Sequence, residues 1–247
     1  MTLDGNAAGL RTAQPIDDGA MAVLRRITRP RNQAEDIERC EMCGEDIAAE
    51  HSHVASLSER RLLCSCRSCY LLFTQEGAGA RRLRAVPERY RTMPGFSITE
   101  EQWGLLSIPV DLVFFFAQSE PPSAESVGAE LVDAETAEPM QNTVACYPSP
   151  AGATESLLDL QLWQEIVGAH IAATQLEPDV EALLVRRHAT AGTAEADRIE
   201  CFLVPIDACY ELVGIVRQYW VGFAGGPEVW RHIDGFFARV ADRARPA

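Results

Sequence analysis

The feature that most constrains this chain is a concentration of potential metal ligands within thirty consecutive residues. Seven of those residues are Cys or His: Cys40, Cys43, His51, His53, Cys64, Cys66 and Cys69. A segment this short holds too few apolar side chains for a core of its own, but a bound metal ion can supply the free energy of folding. We therefore predict a small metal-binding module over residues 36–76.

Two C-x-x-C pairs predict a tetrahedral site of four thiolates. The pairs are Cys40 with Cys43, and Cys66 with Cys69. Gly44 follows the first pair and permits the positive φ that such a turn often requires. The 22 residues between the pairs are enough for a β-hairpin, predicted to run outward along 53–57 and back along 61–64. Turn, hairpin and turn in this order are typical of zinc ribbons and rubredoxins, so these four Cys are the predicted ligands.

Three further side chains leave the ligand set open: His51, His53 and Cys64. Residues two apart on a strand point to the same side, so one His can replace a thiolate, or Cys64 can take the place of Cys66. A second metal ion is a further alternative. Four thiolates suit both zinc, which would be structural, and iron, which would carry electrons. Zinc is the predicted metal and iron is the alternative.

The charge of the chain argues against nucleic acid as its main partner. The net charge is −14, and all 22 basic residues are Arg. Residues 92–185 contain fifteen acidic residues and no Arg, and 118–141 within them is predicted to be an acidic loop. A nucleic-acid-binding protein needs a basic stripe that releases counterions, whereas this chain has only a short basic run at 81–91. The acidic centre is better suited to a basic protein surface.

No catalytic signature accompanies the metal-ligand segment. The chain has no Lys, which excludes a Schiff-base Lys and a phosphate-binding P-loop Lys. It also contains no G-x-S-x-G, G-x-G-x-x-G or H-E-x-x-H motif. We therefore predict a protein that is not an enzyme. The remaining Cys residues occur in apolar contexts and are expected to be buried thiols: Cys146, Cys201 and Cys209.

The expected location is the cytoplasm. Residues 1–30 lack the continuous apolar run of a secretory signal. The densest apolar stretch, at 112–117, is far shorter than the roughly 18–20 residues that span a bilayer. We therefore expect no membrane insertion. In that compartment Cys residues are more often metal ligands or buried thiols than disulfides.

Residues 99–241 are predicted to form an α+β body, a mostly antiparallel sheet with helices on one face. Strands are expected at 110–117, 143–147, 180–187 and 199–204. Helices are expected at 100–106, where Thr99 and Gln102 form a capping box, at 159–172, after Asp207 as N-cap, and after Pro227. The remaining segments are predicted to be a flexible N-terminal tail (1–35), a connector (77–98) and a C-terminal tail (242–247).

Several motifs resemble those of a bacterial family of unknown function whose genes tend to lie in the clusters of high-affinity uptake nickel–iron hydrogenases. The resemblance covers roughly residues 37–241 and includes the metal-ligand segment. Its motifs are Cys40-Glu41-Met42-Cys43-Gly44, His51-Ser52-His53, Leu63-Cys64-Ser65-Cys66-Arg67-Ser68-Cys69-Tyr70-Leu71-Leu72-Phe73, Tyr147-Pro148-Ser149-Pro150-Ala151-Gly152-Ala153-Thr154-Glu155-Ser156, Asp179-Val180-Glu181-Ala182-Leu183-Leu184-Val185, Phe202-Leu203-Val204-Pro205-Ile206-Asp207 and Gly225-Gly226-Pro227-Glu228-Val229-Trp230.

The resemblance implies a role beside the hydrogenase and implies no reaction. The resulting expectation is a non-enzymatic, metal-binding accessory or assembly protein that binds a hydrogenase structural or maturation protein. The alternative is a rubredoxin-like iron module that transfers electrons for the hydrogenase. The sequence gives no indication of the oligomeric state.

Overall fold

The computed structural model describes residues 37–75, 78–79, 82–105, 108, 110–119, 143–156, 176–188 and 198–246. The predicted N-terminal tail and the predicted helix at 159–172 lie outside these residues, as does the predicted acidic loop apart from 118–119. The secondary structure given below belongs to one unit, Glu38–Ala247.

The metal-ligand segment forms a small antiparallel sheet. Strands β1 (Ser52–Ser56) and β2 (Arg61–Ser65) are the predicted hairpin, and β3 (Leu83–Ala85) pairs with the other edge of β1. The short helix α1 (Arg67–Leu71) follows β2 directly. A small core beneath this sheet consists of Val54, Leu63, Tyr70 and Ala85. This core alone gives the sheet little stability, and its other apolar contacts, through Ala55 and Leu62, are with the core of the body.

A second sheet of seven strands forms the body. Its order is β10-β4-β9-β8-β5-β6-β7, and its pairings are antiparallel except for β10 with β4. The strands are β4 (Arg91–Thr92), β5 (Leu112–Ala117), β6 (Thr143–Ser149), β7 (Gly152–Ser156), β8 (Glu181–His188), β9 (Arg198–Pro205) and β10 (Arg245–Pro246). The α+β class with a mostly antiparallel sheet is thus confirmed. The local sequence pattern does not predict β3, β4, β7 and β10, and three of these strands have only two or three residues.

Helices cover parts of both faces of the large sheet. Helices α3 (Ile206–Tyr219) and α4 (Gly226–Arg243) pack with Leu112 and Phe114 on one face. The intervening residue Val113 points to the opposite face, where its cluster includes Trp103 of the short helix α2 (Glu100–Leu105). The prediction that the helices lie on one face is therefore not confirmed, because it describes α3 and α4 but not α2.

Local hydrogen bonds confirm the predicted start of α2, but the predicted N-cap of α3 is wrong. In the predicted capping box, Gln102 N–H donates to Thr99 Oγ1 at 3.1 Å, and Thr99 N–H donates to Gln102 Oε1 at 2.9 Å. Helix α3 instead has Pro205 at its N-cap, without a side-chain capping bond. The assignment of Asp207 as N-cap is wrong, since Asp207 lies in the first helical turn and its carboxylate faces His53. None of the described helices is both long enough and apolar enough to cross a membrane.

Candidate metal centre

The four predicted thiol ligands come together between a turn and a helix start. Cys40 and Cys43 lie in the turn that precedes β1, while Cys66 caps α1 and Cys69 lies within it. The four sulfur atoms all lie within 4.8 Å of one another. The Cys43 and Cys66 sulfurs are 3.7 Å apart. Tetrahedral coordination with metal–sulfur bonds of about 2.3 Å requires roughly 3.8 Å between sulfurs, whereas a disulfide requires about 2.05 Å. The four thiols can therefore hold one metal ion.

Backbone hydrogen bonds fix the first turn. Gly44 N–H donates to the carbonyl of Cys40 at 2.8 Å, and Cys40 N–H donates to the carbonyl of Glu45 at 2.8 Å. Gly44 has φ of +77°, the left-handed conformation predicted from its position after the pair. At the second pair, Cys69 N–H lies 3.5 Å from the sulfur of Cys66. Local hydrogen bonds thus hold the residues of each pair in place.

The pKa values of the Cys40 and Cys69 thiols are shifted in opposite directions. Burial acts to raise the pKa of Cys40, but backbone N–H groups of Cys66, Cys43 and Met42 stabilise its thiolate and lower the pKa to about 6. The pKa of Cys69 is raised to about 12, first by its hydrogen bond to the Cys43 thiol and then by burial. Neighbouring thiols cannot all ionise without a cation between them. A divalent metal would remove this conflict by binding all four as thiolates.

The three remaining ligand-type residues form a separate group. One ligand atom from each of His51, His53 and Cys64 lies within 4.8 Å of the others. His53 and Cys64 face each other directly across the β1–β2 hairpin. His51 lies two residues before His53, and the centroids of their rings are 4.7 Å apart. The hairpin register thus brings the two imidazoles and the thiol to one place.

The end of strand β2 determines which ligand group Cys64 and Cys66 each belong to. Cys64 is still on the strand, which ends at Ser65, whereas Cys66 begins α1. The change from strand to helix turns the two side chains apart. The structure therefore places Cys66 with the other three thiols and Cys64 with the two His residues. The three residues whose role as ligands the sequence did not decide thus form one group.

Two acidic residues that support these groups were not identified from the sequence. Glu41 lies inside the first C-x-x-C pair, and its Oε2 accepts from the N–H of Cys64 at 2.8 Å. A hydrogen bond from Arg61 lowers the pKa of Glu41, which keeps it ionised. Asp207 Oδ2 accepts from His53 Nδ1 at 2.9 Å. The position of Glu41 inside the C-x-x-C motif could have indicated its role. No local sequence feature links Asp207 to His53, which lies 154 positions earlier.

The other three cysteines occupy the core, as predicted. Cys146 in β6, Cys201 in β9 and Cys209 in α3 are all buried. Burial raises the pKa of each thiol, so that each remains protonated. These residues act as small apolar side chains and lie apart from both ligand groups.

The comparisons with known proteins identify a family but no activity. A search of the curated proteins found no match, and a search of the solved structures found none either. A family model described as "Family of unknown function (DUF5947)" matches residues 39–244, which include both ligand groups, strands β1 to β9 and helices α1 to α4. The chain therefore belongs to the DUF5947 family, a family of unknown function.

Proposed function

We propose that this protein is a zinc-binding accessory protein that binds a structural or maturation component of a nickel–iron hydrogenase. The observation that carries the metal-binding part is the approach of four thiols to within 4.8 Å of one another. The hydrogenase part is supported by the sequence resemblance described above. In this proposal the metal has a structural role, and the protein acts by binding a partner.

The small core around the hairpin supports a structural role for the metal. Four side chains form the buried cluster between β1, β2, α1 and β3. A bound ion would fix the turn at Cys40 to the start of α1 and thereby close the hairpin at its open end. The metal would then stabilise the N-terminal sheet, as the ions of zinc ribbons do.

Exposed apolar side chains beside the thiols offer a contact surface for a partner. Leu71, the last residue of α1, is 51% exposed, and Leu72 is 65% exposed. Both follow Cys69 within three residues, so a metal that fixes α1 also fixes their orientation. Leu71 ends α1 and Leu72 is its C-cap, so the two side chains form one small exposed apolar patch beside the thiols. We propose that this patch contacts the hydrogenase component together with the acidic centre described above.

The test is co-purification of the tagged full chain with the products of its own gene cluster, with metal content measured on the same sample. We expect a hydrogenase component and zinc to be recovered together. A visible charge-transfer band that a reductant bleaches would instead support the iron electron carrier. Failure to recover any hydrogenase component would reduce the proposal to metal binding alone.

Two variants test partner binding separately from metal binding. A Leu71→Glu/Leu72→Glu variant should keep its zinc and lose the partner. The matched control is Leu105→Glu on α2, where the native leucine is equally exposed at 61%, and this variant should keep both. Retention of the partner by the double variant would show that the contact lies elsewhere.

A further inference from the structure

The two imidazoles of the second group are already oriented by hydrogen bonds at Nδ1. His53 Nδ1 donates to Asp207 Oδ2 at 2.9 Å, and His51 Nδ1 lies 2.9 Å from the carbonyl oxygen of Ala48. A carboxylate or a carbonyl on one ring nitrogen fixes the tautomer and leaves Nε2 as a lone-pair donor. Histidines that bind zinc are typically held in this way. Both rings therefore present Nε2 as the ligand atom.

The free nitrogen of His51 has no hydrogen-bond partner among the described residues. The His51 side chain is 9% exposed, and its Nε2 atom is fully buried. A buried polar nitrogen without a partner costs about 1–3 kcal/mol unless another group satisfies it. The neighbours that offer ligand atoms at this point are His53 and Cys64. A cation between the three side chains would satisfy the nitrogen.

We propose that His51, His53 and Cys64 form a second metal site, for a divalent ion of the zinc type, bound by two imidazoles and one thiolate. Nitrogen and sulfur ligands together favour Zn²⁺ over Mg²⁺ or Ca²⁺, which prefer oxygen. Three protein ligands leave one tetrahedral position for a solvent molecule. The four-thiol site would have no such position, so the two sites differ in chemistry as well as in ligands.

The second site does not depend on the function proposed above. Its ligands share no side chain with the four-thiol group. The two groups are nevertheless adjacent, because Glu41 N–H donates to the carbonyl of Cys64 at 2.9 Å while Glu41 Oε2 accepts from the N–H of the same residue. Substitution of the second group leaves all four thiols in place, so the metal that such a variant retains reports on the four-thiol site.

The test is a titration of the tag-free, metal-depleted full chain with Zn²⁺ in the presence of a chromophoric chelator. The native chain should bind two equivalents. A His51→Ala/Cys64→Ser variant should bind one, whereas a Cys40→Ser/Cys43→Ser variant, which loses the ion that closes the hairpin, should bind at most one. The matched control His232→Ala changes a histidine on α4 that stacks on Tyr219, and it should bind two.

Co²⁺ titration of the native chain supplies a measurement that does not depend on the folding of any variant. Thiolate-to-cobalt absorption should rise in two steps, a large one for four sulfurs and a small one for a single sulfur. Saturation at one equivalent, or two equivalents in the His51→Ala/Cys64→Ser variant, would overturn the second site. If the Cys40→Ser/Cys43→Ser variant alone kept two equivalents, the four-thiol site would be the one in error.

Discussion

His53 Nδ1 lies 2.9 Å from Asp207 Oδ2, and this hydrogen bond joins the first strand of the small sheet to the first turn of α3. The two side chains are 23% and 26% exposed, so water competes only partly for the interaction. The contact connects the metal-ligand segment with the body of the protein. Because His53 is also a proposed ligand, Asp207 would influence both stability and metal binding.

We expect Asp207→Ala to lower the Zn²⁺ affinity of the second site by about 10–100-fold, since carboxylates behind a ligating His typically contribute this much. The free energy of unfolding should fall by about 1 kcal/mol through loss of the hydrogen bond. Zinc competition and urea unfolding measure the two effects. Asp242→Ala, at an exposed position of α4, is the control and should change neither quantity. Unchanged affinity in Asp207→Ala would show that His53 does not need this carboxylate.

Removal of the metal should open the small sheet while the large sheet stays folded. The hairpin is held by few buried side chains, whereas Leu183 and Leu184 of the central strand β8 are fully buried. After chelation, hydrogen exchange should accelerate at the amides of β1 and β2 and remain slow at those of β8 and β9. Equal protection of the hairpin with and without metal would contradict a structural role for the ion.

Gly225 and Gly214 should respond in opposite ways to substitution by alanine. Gly225 has φ of +83°, and an added Cβ would lie 2.8 Å from Val229 Cγ1 and 3.1 Å from Trp220 Cε3. Gly225→Ala should therefore lower the free energy of unfolding by about 1–3 kcal/mol. Gly214 lies exposed within α3 with no atom near its Cβ position, so Gly214→Ala should raise it by roughly 0.5–1 kcal/mol. Thermal unfolding of both variants gives the comparison.

Glu181 at the start of β8 should be sensitive to loss of its charge. Its side chain is fully buried, and its Oε2 accepts from Arg89 Nη2 at 2.6 Å and from Glu177 N–H at 3.0 Å. Glu181→Gln should lower the free energy of unfolding by about 1–3 kcal/mol, because the amide cannot satisfy the same donors. Glu177→Gln is the control at a half-exposed position and should change it by less than about 0.5 kcal/mol. Similar effects at both positions in urea unfolding would contradict this difference.

Local patterns were sufficient to predict the hairpin and the main strands. The spacing of the C-x-x-C pairs predicted β1 and β2 to within about one residue, and the apolar run at 110–117 predicted β5. These signals are short-range, because turn geometry and burial are encoded in adjacent residues. The strands β4 and β10 have two residues each and pair with each other only because the chain folds back, so no local signal marks them.

The ligand-type residues could be predicted from the sequence, but their division into two groups could not. The sequence identified all seven Cys and His residues, but the assignment of Cys64 depended on where β2 ends. If β2 had continued through Cys66, the side chains of Cys64 and Cys66 would lie on the same face of the strand. The partners of the His residues, Asp207 and the carbonyl of Ala48, become apparent only when the strands are placed against the helix.

The most direct test of the four-thiol site is zinc K-edge X-ray absorption on the His51→Ala/Cys64→Ser variant, in which only this site remains intact. A tetrahedral site formed by Cys40, Cys43, Cys66 and Cys69 predicts four sulfur neighbours at about 2.3 Å and no nitrogen or oxygen ligand. A shell that contains nitrogen or oxygen, or a variant that is folded and holds no metal, would contradict it.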